Sequence, residues 1–140
     1  MPLTRVYLAL TAADLEDLAA GRDVGPAPLA AHGVTPALGT PGLVTDEEEL
    51  EHLAWVAATE EALGRAAGGR RVVAAADVDA ALVTVPRGTQ QPSRVEVGST
   101  VPRGRVVSFH VDEAAGDTGT ADLLWFDVTE LGEVRALLER

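Results

Sequence analysis

The chain has 140 residues, of which 46% are hydrophobic and 24% are charged, so we expect one globular domain over residues 1–140. It contains no Cys, which excludes disulfides, thiolate metal sites and cysteine nucleophiles. Its net charge of -11 argues against binding to nucleic acid or to an anionic membrane, because both require basic residues that neutralise phosphates.

The first part of the chain predicts a strand followed by a helix. Residues 5–10 begin with β-branched and aromatic side chains, and Thr11 with Asp14 then offers a capping box for the helix. The predicted buried stripe of this helix comprises Leu15, Leu18 and Ala19. Residues 29–38 are compatible with a helix or a short strand, and we favour a strand that ends at Thr35-Pro36.

A longer helix is predicted to follow Pro41-Gly42. The segment Thr45-Asp46-Glu47-Glu48 matches a capping box, and its acids suit the positive end of a helix dipole. We expect this helix to end at Gly68-Gly69. Its predicted inward face comprises Leu50, Leu53, Ala54 and Ala57.

β-Branched segments separated by Gly and Pro predict strands in the second half of the chain. They cover residues 72–76, 82–85, 95–97, 106–111 and 123–128. In the fourth segment, alternation should point Val107, Phe109 and Val111 to one face and Ser108, His110 and Asp112 to the other. A short helix over residues 131–138, capped by Thr129, should end the domain.

This order of elements predicts an α+β fold. We expect a two-layer α/β sandwich with a mixed, largely antiparallel sheet of about five to six strands. Two main helices should lie on one face, and a short C-terminal helix should follow the last strand. No apolar stretch approaches the ~20 residues that span a bilayer, and acids interrupt the signal-like start after residue 10, so we expect a cytoplasmic protein.

Charge is distributed unevenly along the chain. Between residues 6 and 64 the only Arg or Lys is Arg22, whereas seven Arg lie between residues 65 and 105. Such asymmetry can join two parts of one fold, join two subunits or present an anion-binding face. Our leading hypothesis is a non-enzymatic binding or regulatory domain that self-associates, or binds a protein partner, through complementary acidic and Arg-rich surfaces.

The second hypothesis is a small metal-independent enzyme or a small-anion-binding protein. Its candidate ligand-binding residues are Arg87, Arg103, His110, Asp112 and Trp125. Both Arg occur in copies of Thr-Val-Pro-Arg-Gly, and guanidinium groups bind carboxylates and phosphates bidentately. Same-face neighbours such as Ser108 and His110 are ~7 Å apart along a strand, which is too far for a nucleophile–base hydrogen bond, so we predict no catalytic residue.

No metal or cofactor site is predicted. His52 follows Glu49 by three residues, as in carboxylate-bridged metal bundles, but a second helix of that kind is absent. His32 lies near a turn, where we expect it to be half-buried and hydrogen-bonded to backbone. A P-loop needs a Lys, and the chain has none.

Several segments resemble a family of small acidic actinobacterial proteins of unknown function. They are residues 5–7, 11–15, 31–38, 46–51, 107–112 and 123–126, with His32-Gly33-Val34-Thr35-Pro36-Ala37-Leu38 and Leu123-Leu124-Trp125-Phe126 the most specific. The family's terminal stretch reads Leu-Leu-Trp-Tyr-Ala-Thr-Gln-Glu, whereas here Phe126 replaces Tyr and Asp127-Val128-Thr129 replaces the next three residues. The acidic loop before it is shorter than the family's. The resemblance implies an actinobacterial, intracellular protein and no particular activity, and the absence of Lys, Ile and Asn fits GC-rich coding DNA.

Overall fold

A computed structural model describes residues 2–39, 46–119 and 123–140. The strands are β1 (Leu3–Leu10), β2 (Leu29–Gly33), β3 (Val72–Asp79), β4 (Val83–Thr84), β5 (Arg94–Val97), β6 (Val106–Val111) and β7 (Leu124–Asp127). They form one sheet in the order β4-β5-β2-β1-β3-β6-β7, and all its named strand pairs are antiparallel. The α-helices are α1 (Ala12–Ala19), α2 (Glu47–Ala66) and α3 (Leu131–Leu138), and 3-10 turns cover Ala80–Leu82, Arg103–Arg105 and Val128–Glu130.

Strands β1 and β3 form the centre of the sheet. They pair over eight residues, from Leu3 opposite Asp79 to Leu10 opposite Val72. Every residue from 6 to 10 and from 72 to 76 is buried. Such continuous apolar runs are typical of strands that are covered on both faces.

The helices cover the two faces of the sheet separately. On one face, α1 and α3 pack on the even-numbered residues of β1 and β3, and the helix side chains in this core are Leu15, Leu18, Leu131 and Val134. On the other face, α2 packs on the odd-numbered residues Tyr7, Ala9, Val73 and Ala75. The buried alanines of α2 in that contact are Ala54, Ala58 and Ala62.

The α+β class is therefore confirmed, and three details of the prediction are wrong. The described sheet has seven strands instead of five to six, because even the two-residue β4 pairs with β5. It is antiparallel instead of mixed. The two-layer arrangement is replaced by helices on both faces, because the central strands present apolar side chains in both directions.

Helix caps match the sequence in one case and differ in two. Thr11 and Asp14 form the predicted capping box of α1, with hydrogen bonds of 3.2 and 2.9 Å. Asp46 caps α2 by accepting from the amides of Glu48 and Glu49, while Thr45 lies outside the described residues. Thr129 was predicted to cap α3. Instead, the carboxylate of Asp127 caps the 3-10 turn that precedes this helix.

Two side-chain orientations also differ from the prediction. Helix α2 buries Ala54, Ala58, Thr59 and Ala62, whereas Leu53 is 38% exposed. In β6, a register shift opposite Ala75 and Ala76 leaves Val107 as an extra residue, so that Val106 joins Phe109 and Val111 in the core.

Within the described residues, no helix combines the length and the hydrophobicity that a membrane-spanning segment needs.

Candidate functional site

A cleft of about 460 Å³ lies between the first half of α2 and the face of the sheet that α2 covers. The sheet contributes Arg5, Tyr7, Ala75, Ser108, His110 and Trp125. The helix contributes Glu48, Glu51, His52 and Trp55. This size lies within the usual range for small-molecule sites in proteins.

Strand register places the floor of the cleft. Tyr7 lies opposite Ala75, and Ala75 lies opposite Ser108, so one row of side chains crosses β1, β3 and β6. His110 lies opposite Trp125 of β7. Because the side chain of Ala75 is only a methyl group, the surface of the sheet has a depression between the side chains of Tyr7 and Ser108.

Helical periodicity places the wall of the cleft. Glu48, Glu51, His52 and Trp55 are spaced at i, i+3, i+4 and i+7, so they share one side of α2. The buried Ala54, Ala58 and Ala62 hold the same helix against the sheet. The packing of α2 thus fixes how the acidic and aromatic side chains overhang the strands.

The cleft concentrates the few aromatic side chains of the chain. The sequence has two Trp, one Tyr and three His, and both Trp, the Tyr and two of the His line the cleft. The rings of His52 and Trp55 stack with centroids 5.6 Å apart, and Trp55 meets His110 edge to face at 5.8 Å. Trp125 is 61% exposed at the rim, so one large aromatic face is open to solvent.

Ser108 and His110 form a hydrogen-bonded pair on the floor. The distance between Ser108 Oγ and His110 Nε2 is 3.2 Å. The prediction that Ser108 and His110 are too far apart to bond is therefore wrong, because the long imidazole side chain bridges the ~7 Å between neighbouring same-face positions. Burial and the nearby Arg5 guanidinium lower the pKa of His110 from 6.5 to about 4, so its ring is neutral at pH 7.

Arg5 and Tyr7 of β1 each make a polar contact at the side of the cleft. The guanidinium of Arg5 binds the carboxylate of Asp77 through two hydrogen bonds, of 2.6 and 3.2 Å. The hydroxyl of Tyr7 lies 3.5 Å from Glu51 Oε2. Burial, together with the negative charge of Glu51, raises the pKa of Tyr7, so the phenol keeps its proton and can donate it in a hydrogen bond.

Comparison with known proteins places the chain in a family. The family model for DUF6912 matches residues 4–134. The chain belongs to DUF6912, a family of unknown function. No curated protein and no solved structure matches it significantly. The resemblance to a family of unknown function is confirmed at this level.

Of the five predicted ligand-binding residues, the DUF6912 fold brings only His110 and Trp125 together. Asp112 is buried and accepts three hydrogen bonds of 2.7–2.8 Å from the backbone amide and the guanidinium of Arg71. Arg87 lines a separate depression near β5. Arg103 donates to the carbonyl oxygen of Val128 at 3.4 Å. The five residues therefore do not form one site.

Most of the cleft of this DUF6912 domain was not predicted from the sequence. The lining residues that were not predicted to bind a ligand are Arg5, Tyr7, Glu48, Glu51, His52, Trp55, Ala75 and Ser108. The spacing of Glu48, Glu51 and Trp55 on one helix side would have revealed a polar and aromatic stripe. Nothing in the sequence indicated that this stripe faces Tyr7 and His110, because their contact depends on how α2 lies across the sheet.

His32 has a structural role in the DUF6912 domain. It is fully buried, with Nδ1 2.8 Å from Ser93 Oγ and Nε2 3.2 Å from Glu61 Oε1. The prediction of a half-buried His bonded to backbone was therefore wrong. Ser93 is 1% exposed, so a substrate could not reach this Ser–His–Glu chain, and the contacts instead connect α2 with β2 and with the residue that precedes β5. Within the described ranges, no group of three or more His, Asp or Glu residues could hold a metal ion.

Proposed function

We propose that this domain binds a small organic molecule in the cleft between α2 and the sheet. The observation that carries the proposal is the gathering of both Trp, the Tyr and two of the three His in one open cleft. Tyr7 and Trp55 also pack in the buried cluster under α2, whereas Trp125 is 61% exposed, which core packing alone does not explain. Phe109, by contrast, is fully buried in the core on the other face.

The lining suits binding of a ligand with a flat or apolar body. The exposed indole of Trp125 and the ring of Trp55 offer apolar surface. Ser108, His110 and Tyr7 offer neutral hydrogen-bonding groups on the floor. A few directed polar groups within an aromatic lining are typical of small-molecule sites.

The Ser108–His110 pair supports ligand binding better than catalysis. A general base works best when its pKa is close to the working pH, and the pKa of His110 is about 4. In the part of the chain that the structure describes, no carboxylate bonds to the other ring nitrogen of His110. We therefore assign the pair to hydrogen bonding with the ligand.

A fragment screen tests this proposal. The two Trp give two indole N–H signals in a ¹H–¹⁵N spectrum, and we expect fragments that bind the cleft to shift both. Trp125→Ala should abolish that binding. The matched control is Leu82→Ala, which removes an exposed apolar side chain near β4, at the opposite edge of the sheet. The proposal fails if no fragment shifts either signal, or if Leu82→Ala weakens binding as much as Trp125→Ala.

We retain self-association as a second candidate function. The residues Asp46, Glu47, Glu48, Glu49 and Glu51 form no ion pair with another described residue, and neither do Arg87 and Arg105. These groups could pair between two copies of the chain. Light scattering at low and high salt tests this candidate, since a monomer at every salt concentration would exclude it.

We also propose that the chain is actinobacterial and works in the cytoplasm. The absence of Lys, Ile and Asn supports a GC-rich genome, and the sequence resemblance supports an intracellular location. Fractionation of the source cells, with antibody detection of the chain, tests the location. Recovery with the membrane or the medium would contradict it.

A further inference from the structure

The charges that line the cleft are unequal. Arg5 is already bonded to Asp77, which compensates its charge. Glu48 and Glu51 line the cleft, and neither forms an ion pair among the described residues. At neutral pH His110 adds no positive charge, because its pKa is about 4. Among the described lining residues, the carboxylates of Glu48 and Glu51 are therefore charges that no Arg of the cleft compensates.

The aromatic walls attract the same kind of ligand. The faces of Trp and Tyr rings carry negative partial charge and bind cations, with Trp the strongest of the side chains. Trp55, Trp125 and Tyr7 all line the cleft. Carboxylates and aromatic faces thus act together here, and each of them disfavours a bound anion.

We propose that the ligand of this cleft is a small organic cation, an ammonium group carried on an apolar body. The inference rests on the proposed function and adds the chemical class of the ligand. The cationic group lies against the indole rings, close to Glu48 and Glu51, while the apolar body fills the depression over Ala75. The hydroxyls of Ser108 and Tyr7, which bond to His110 and Glu51 within the chain, can also bond a polar group on the same molecule.

Three probes of similar size and different charge test the inference. Choline carries a trimethylammonium group, 3,3-dimethylbutan-1-ol is its neutral counterpart, and 3,3-dimethylbutanoate is a related anion. Titrations followed by the two indole N–H signals should show choline binding about tenfold more tightly than the alcohol, and the carboxylate most weakly. Equal affinity for choline and the alcohol, or tighter binding of the carboxylate, overturns the inference.

Paired variants separate local charge from overall charge. Glu48→Gln with Glu51→Gln should weaken choline binding about fivefold and leave binding of the alcohol unchanged. The control is Glu133→Gln with Glu139→Gln, which changes the net charge equally at exposed positions at and next to α3, on the other face of the sheet. Equal losses in both pairs overturn the inference.

Failure of the inference is distinguishable from failure of the proposed function. If choline shifts neither indole signal while neutral or anionic fragments shift both, the ligand class is wrong and the cleft is still a binding site. If no compound shifts either signal, both proposals are wrong.

Discussion

Asp112 was predicted to bind a ligand because it follows the alternating residues of β6. In the structure it stabilises the fold instead, through its contacts with Arg71. Arg71 and Asp112 are both almost fully buried, and they are joined by three hydrogen bonds. A buried charge that loses its partner is strongly destabilising, because neither water nor another group replaces the bond. The sequence could not reveal this pair, since its two members lie 41 residues apart.

Asp112→Asn should therefore lower the free energy of unfolding by about 3–5 kcal/mol. Urea unfolding measures the change. Glu16→Gln is the control, because it breaks an ion pair with Arg135 that is exposed to solvent, and we expect it to leave the unfolding midpoint almost unchanged. A loss for Asp112→Asn no larger than that of the control would contradict the structural role.

His110 should make stability depend on pH in a defined window. Its pKa is about 4 in the folded chain and 6.5 is the ordinary value, so the unfolded chain binds the proton first as the pH falls. The contribution of His110 is therefore fully present above pH 6.5 and is lost as the pH falls towards 4. His110→Gln should flatten this part of the stability profile, whereas Ser108→Ala, which keeps the imidazole, should not. An NMR titration that gives His110 a pKa above 6 would contradict the account.

At the scale of elements, the sequence predicted most strands and helices but not how α2 packs. The capping box of α1 and the apolar runs of β1 and β3 are local patterns, so they could be predicted. The inward face of α2 was misjudged because Leu50 and Leu53 are more hydrophobic than the alanines that the sheet contacts. Ala54, Ala58 and Ala62, spaced at i+4, form a smooth ridge that lets the helix approach closely.

Enlarging that ridge should therefore disturb the fold. Ala58→Leu inserts three carbons into a packed contact and should cost about 1–3 kcal/mol of unfolding free energy. Ala57→Leu is the matched control, because Ala57 belongs to the predicted inward face and is only half-buried in the structure. Urea unfolding of both variants decides between the two orientations. A larger loss for Ala57→Leu would favour the orientation expected from the sequence.

At the scale of the whole molecule, ion pairs within the fold partly compensate the uneven distribution of acidic and basic residues along the chain. Glu61 of α2 binds Arg94 of β5 at 2.6 Å, and Arg65 lies 3.5 Å from the same carboxylate. Hydrogen bonds from His32 and Arg94 lower the pKa of Glu61 from 4.5 to about 2. The stability that Glu61 contributes is thus present above pH 4.5 and is lost as the pH falls towards 2.

The cleft is also a property of the whole molecule. It requires β1, β3, β6 and β7 to pair in the observed register and α2 to lie across them. The sequence indicated His110 and Trp125 as ligand-binding residues, but it could not indicate that Tyr7, Glu51 and Trp55 meet them. These residues come together through strand pairing and helix packing between distant parts of the chain, which local sequence patterns do not encode.

The most direct test of the account is a crystal structure of the domain with the fragment that binds most tightly. We predict electron density for the fragment inside the cleft, in contact with the rings of Trp55 and Trp125. A fragment bound at another surface, with these two rings in contact only with solvent and protein, would contradict the assignment of this cleft as the binding site.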